Sequence, residues 1–198
     1  MNRQALQNWA TAAIVILFMG LVSQTGAWER IARFSFDALA TLAAPRPTEP
    51  GVIIVAIDEP SMAAFGEQWP WRRSRHAALV GALRSAGARA IAFDIVFAEP
   101  TQPEEDIALR QVGGDDLVMA ADESIIERSF GAIETRTEPA PQLLSRGTRV
   151  GVASLTADSD GGLRLMPYRS DSLAAELMRA SGRDLPVATQ GPELIQYF

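Results

Sequence analysis

The chain has no cysteine, no lysine and a single histidine, His76, in its 198 residues. Without cysteine there are no disulfides, no thiolate nucleophile and no Cys-type zinc site. The absence is compatible with a periplasmic location. Every basic side chain is an arginine, and the net charge is −6. That balance argues against a nucleic-acid partner, because phosphate contacts need a basic face. No Gly-rich phosphate loop, GxSxG elbow or DxD pair at a strand end occurs. The 47% hydrophobic content is ordinary for a globular domain, although part of it is concentrated near the N-terminus.

That concentration is the uncharged run Trp9 to Trp28, WATAAIVILFMGLVSQTGAW. As a helix of 20 residues it spans roughly 30 Å, one bilayer core, with an indole at each interface. The expected organisation is therefore a cytoplasmic N-terminus over residues 1–8 and a transmembrane helix over 9–28. The competing reading is a cleaved signal peptide, with Thr25-Gly26-Ala27 as a poor cleavage site. Residues 29–50 read as a juxtamembrane segment. Ile31, Phe34, Leu39 and Leu42 form a helical stripe, Glu29 and Arg33 an i, i+4 pair, and Pro45-Arg46-Pro47-Thr48-Glu49-Pro50 a stiff connector.

The most informative stretch is Gly51 to Pro100. Val52 to Ile57 is an unbroken apolar run of the kind a strand covered on both faces shows, and it ends at Asp58. Ser74 is placed to cap a helix carrying His76, Leu79, Val80 and Leu83 at i, i+3, i+4 and i+7, and Gly87 to stop it. A second apolar run, Ala90 to Ala98, follows. Together these predict a parallel βαβ unit. Such a unit brings Asp58, Trp69, Trp71, Arg73, His76 and Asp94 to one sheet edge, as a buried polar network, a ligand site, or both.

These residues resemble the CHASE2 domain, an extracytoplasmic sensor module of bacterial membrane receptors. The resemblance rests on Asp58 and Glu59 after the first apolar run, Trp69-Pro70-Trp71 and Arg73 in the following loop, and Asp94 and Phe97 in the second run. Arg72 departs from it, since members more often carry a second proline there. Further along, Asp158, Asp160, Gly161, Arg164 and Pro167 match the family's acidic turn. The resemblance implies an N-in orientation, an inner-membrane receptor with its sensor outside the cytoplasm, and a cyclase or kinase output. It names no stimulus.

Beyond Pro100, the sequence predicts a helix opened by Pro103, Glu104, Glu105 and Asp106, with the acids as helix-dipole partners, and a strand over Leu117–Ala121. An extended piece is expected around Ile133 and a turn at Pro139 and Pro141. Arg149–Leu155 and Leu163–Arg169 read as a hairpin around Ala157–Gly162, and Ser172 caps a last helix stopped by Gly182. The chain ends within an apolar run, so the sensor domain over 51–198 is expected to be C-terminally truncated.

The predicted fold class is thus α/β: a central mixed sheet built on a βαβ unit, a C-terminal β-hairpin and helix, and one preceding transmembrane helix. The function expected is signal sensing without catalysis, cofactor or metal, in a homodimer at the membrane. The alternatives are a protein-interaction or dimerisation module without small ligand, and a periplasmic hydrolase using Asp58 and Asp94 at a metal.

Overall fold

A computed structural model describes residues 3–23, 25–44, 51–128, 131–166, 169–185 and 193–194. The chain divides into two compact units, one holding the N-terminal helices and the other running from Val55 to Ile195.

In the first unit, α1 (Arg3–Ser23) and α2 (Ala27–Ala43) replace the single helix expected over Trp9–Trp28. The break has a local cause. Ser23 Oγ donates to the Gly20 carbonyl at 2.8 Å and Thr25 Oγ1 to the Val22 carbonyl at 2.7 Å, so hydroxyls compete for acceptors of the last helical turn. Among the described residues no single helix is long and apolar enough to cross a membrane. Gln7–Ser23 and Ala27–Ala43, bent by 78° at the break, reach that length and composition as a pair. The Glu29–Arg33 ion pair forms as expected, at 3.3 Å. The proline connector lies outside the described residues.

The second unit is a mixed α/β domain. Its sheet holds β1 (Ile91–Phe93), β2 (Leu117–Arg128), β3 (Gly131–Thr137) and β4 (Arg149–Val152). β2 is the organising strand. Its first half, Leu117–Ala121, is wholly buried and pairs in parallel with β1 and β4. Five successive apolar residues suit a strand covered on both faces. Leu117 and Met119 meet Val80, Ile91, Phe93, Phe97, Leu109 and Leu143 in the core, which puts α4 (Arg73–Ser85) and α5 (Pro103–Gln111) against the sheet. The short helix α6 (Leu173–Ala180) packs on β2 and β4. The second half of β2 leaves the parallel sheet and turns back as an antiparallel hairpin with β3.

The crossover unit is therefore β1–α5–β2, one step later in the chain than the sequence suggests. Among the described residues Val52–Ile57 pairs with no strand; Ile53 is 82% and Ile54 87% exposed. An apolar run specifies extended, coverable backbone but not the neighbour that would pair it. Helix α4 forms as expected, and Gly87, at φ +92°, follows its end. Its cap differs: Arg72 occupies the N-cap without a side-chain bond, while the Ser74 N–H donates to Glu105 Oε2 at 2.7 Å. A carboxylate from α5 takes over the role expected of serine.

The expected C-terminal hairpin does not form either. β4 pairs with β2, and β5 (Leu165–Met166) pairs with β6 (Glu193–Leu194). The turn between the two runs does form: Gly161 N–H donates to the Asp158 carbonyl and Asp158 N–H to the Gly162 carbonyl, each at 2.8 Å. Arg164 Nη1 reaches Asp158 at 2.8 Å and Asp160 at 2.9 Å, which accounts for four of the five turn residues the resemblance singled out. The fifth, Pro167, lies outside the described residues. Ser172 caps α6 through the Ala175 N–H at 3.1 Å, as the sequence predicts.

Candidate functional site

Four of the six predicted site residues meet at the start of α4. The Trp69–Pro70 peptide is cis. Trp69, 41% exposed, stands edge-on to both Trp71, at 6.0 Å between ring centroids, and His76, at 5.7 Å. Trp71 Nε1 donates to the Glu67 carbonyl at 3.1 Å. His76, only 2% exposed, then passes the ring contacts inward to Phe93 at 5.7 Å and Phe97 at 5.3 Å. The result is a continuous aromatic path from solvent to core.

Arginines hold its flanks. Arg73 Cζ lies 4.3 Å from the Phe97 ring centroid, and Nη2 donates to the Glu99 carbonyl at 3.4 Å. Arg75 sits 4.2 Å over Phe65, pairs with Glu67 at 3.0 Å, and is 5.8 Å from the Trp71 ring centroid. Cation–π contacts of this kind strengthen as water is excluded. Burial lowers the Arg73 pKa from its usual value, with the nearby Asp106 charge opposing.

His76 carries the unusual chemistry. Its Nδ1 lies 3.0 Å from the Arg72 carbonyl oxygen, an acceptor only, so Nδ1 bears the proton and donates. Nε2 is then a lone-pair acceptor. It is buried and has no hydrogen-bond partner among the described residues, and the same is true of the Arg73 and Arg75 Nε donors. Burial pushes the His76 pKa below its ordinary value; the Arg72 hydrogen bond opposes this, and Arg73 and Arg75 add to it. The shift favours the neutral ring. A buried acceptor left unmade costs about 1–3 kcal/mol.

Asp58 and Asp94 do not join the cluster. Asp58 is the N-cap of α3 (Glu59–Phe65), accepting from Ser61 N–H at 2.9 Å and Ser61 Oγ at 2.5 Å. Those two bonds, the hydroxyl's foremost, lower its pKa. Asp94 is exposed just past β1. Among the described residues no group of three or more His, Cys, Asp or Glu could hold a metal ion. The acid that does approach the cluster is Asp106, which was expected only to complement a helix dipole. It is 5% exposed and accepts from Thr101 N–H at 3.1 Å and Thr101 Oγ1 at 2.6 Å. Burial raises its pKa, but the Thr101 bonds, Gln142 and Arg73 outweigh it and hold the carboxyl below its ordinary value.

Sequence reading also missed Phe65, Glu67 and Arg75. The spacing carried a signal: Glu67, Trp71 and Arg75 recur every four residues across the loop–helix junction. A shallow depression of about 270 Å³, lined by Pro100, Thr101, Pro103, Asp106, Ile107, Arg110 and Gln142, lies beside α5 rather than at the tryptophan loop. It has two prolines and an exposed isoleucine on its wall but no unsatisfied buried group. The orphaned His76 nitrogen is the stronger chemical pointer.

A family model, that of the CHASE2 domain, matches residues 11–198. No curated protein and no solved structure matches the chain.

Proposed function

The chain belongs to the CHASE2 domain family, and from that membership we propose that it is the sensing part of a bacterial transmembrane receptor that signals to a cytoplasmic nucleotide cyclase or kinase. CHASE2 domains are extracytoplasmic sensor domains. The apolar side chains of α1 and α2 support a membrane setting: Leu17 is 73%, Phe18 65%, Phe34 75% and Leu42 84% exposed, a surface suited to lipid. The N-terminus lies on the cytoplasmic side in this reading, and the second unit in the periplasm.

The observation that carries the sensory site is His76 Nε2, which has no partner among the described residues, behind the half-exposed Trp69. A small ligand with a flat apolar body and a hydroxyl or amide would stack on the indoles, donate to Nε2 and accept from Arg73. Such a ligand binds the conformation that admits it better than the closed one, and only that difference shifts the receptor between states. Trp69, Trp71, Arg73 and His76 form the site, with Asp106 setting the charge beside Arg73. Asp58 stands outside it and caps α3.

A second reading, an interaction module without small ligand, is favoured by the exposure of Phe65, at 50%, beside Trp69. One experiment separates them. A low-molecular-mass fraction of periplasmic extract is added to the purified chain in detergent, and its melting temperature is followed. The sensory reading expects an upward shift that Trp71→Ala and Arg73→Ala abolish. A shift that survives both substitutions contradicts it, and loss of self-association alone supports the module.

A further inference from the structure

We propose that two copies of this chain join through the β2–β3 hairpin, with β3 pairing antiparallel to β3 of the second copy about Thr135. This stands independently of the sensory reading. From Asp122↔Thr137 to Arg128↔Gly131 the hairpin is a two-stranded arm, in which β2 pairs with β3 alone. A lone two-stranded ribbon is marginal in water and gains from a third strand.

The free edge of β3 is open to such a strand. Residues 131–136 are all exposed, and the sequence GAIETRT has neither the proline nor the lysine with which edge strands block pairing. A second copy is the occupant because the charges of β3 complement themselves in one register. Centred on Thr135, a two-fold antiparallel pair sets Glu134 opposite Arg136 of the second copy, and the same pair recurs by symmetry. The neighbouring two-fold registers are disfavoured: centred on Glu134, two carboxylates would stand face to face, and centred on Arg136, two guanidiniums.

The groups needed are available. Arg136 uses Nε on Glu138 at 2.8 Å and Nη1 on Glu123 and Asp171, each at 3.1 Å, and its Nη2 has no partner among the described residues. The Glu134 carboxylate makes no hydrogen bond or ion pair among them. The contact is isologous and uses up the β3 edge of both copies, so β3 pairing closes at two.

The register can be trapped covalently because the chain has no cysteine of its own. Residues directly opposed across antiparallel strands are about 4.5–5.5 Å apart at Cα, within disulfide reach. With the full chain in detergent micelles under mild copper–phenanthroline oxidation, Thr135→Cys is expected to cross-link as a dimer. Ile133→Cys and Thr137→Cys, each alone, should stay largely monomeric, whereas their mixture should cross-link, because these positions oppose one another. Adding Glu134→Arg should reduce Thr135→Cys cross-linking at least tenfold, with the circular dichroism of the chain unchanged. Absence of the Thr135→Cys dimer, or cross-linking of Ile133→Cys alone at the same rate, overturns the proposal.

Discussion

The Arg73 guanidinium sits 4.3 Å over the ring of Phe97, a residue wholly removed from solvent. A charged group thus covers the inner end of the aromatic path whose outer end is Trp69. Arg73→Ala would remove both the cation–π contact and the cover. It is expected to cost about 1–2 kcal/mol, measured as a shift in urea midpoint at unchanged slope. Arg73→Lys should recover only part of that, because an ammonium lacks the planar stacking surface. Full recovery by lysine would show that charge alone matters there.

The second prediction concerns acid. The His76 pKa is lowered in the folded chain from its ordinary 6.5, chiefly by burial. The unfolded chain therefore binds the extra proton first, and stability rises with pH wherever it does so. The contribution is complete above pH 6.5 and is lost as pH falls through 6.5 towards the folded value. The charges nearest the ring are Arg73 and Arg75, which reinforce the direction. Between pH 7 and 5 the wild-type chain should lose stability more steeply than His76→Phe. Equal slopes would show that His76 does not titrate against the fold.

The third prediction is at Gly151 in β4. A Cβ there would stand 2.6 Å from Leu173 Cα and 2.9 Å from the Ser172 carbonyl oxygen, both backbone atoms of the α6 start. Neither can swing aside. Gly151→Ala is expected to destabilise by about 2 kcal/mol or more, as overpacking does. It should also detach α6, seen as faster amide exchange over Leu173–Ala180. Wild-type exchange there would mean that the helix and strand are not packed this closely.

These positions show what could be read from the sequence. Ser172 and Gly182 bracket α6 as expected because capping is chemistry between near neighbours. The buried run Leu117–Ala121 announced its strand by being apolar at every position. The pairing partners were not legible: Val52–Ile57 has the same apolar character yet pairs with no strand among the described residues, and Arg149–Val152 flanks β2. Pairing is fixed by contacts between distant segments, on which local periodicity is silent. In the site, the sequence grouped Trp69, Trp71, Arg73 and His76 through the edge of a βαβ unit that is not formed there; they meet because the tryptophan loop runs directly into the start of α4. Asp58 was misplaced because its cap to Ser61 competes with any more distant role, and Asp106 was missed because Thr101 satisfies it from outside the helix.

The fourth prediction follows from that cap. Asp58→Ala should cost about 0.5–2 kcal/mol through α3. The near-ultraviolet circular dichroism of the Trp69–Trp71 pair should be unaffected. A lost tryptophan signal would mean that Asp58 supports the cluster directly.

The account depends most on the second unit facing the outside of the membrane. Single cysteines at Ser159, in the acidic turn, and at Gln4, in α1, allow a direct test in a cysteine-free chain. Intact cells are treated with a membrane-impermeant maleimide. Ser159→Cys should be labelled and Gln4→Cys protected until the cells are lysed. Labelling of Ser159→Cys only after lysis would place the His76 cluster in the cytoplasm and contradict the account.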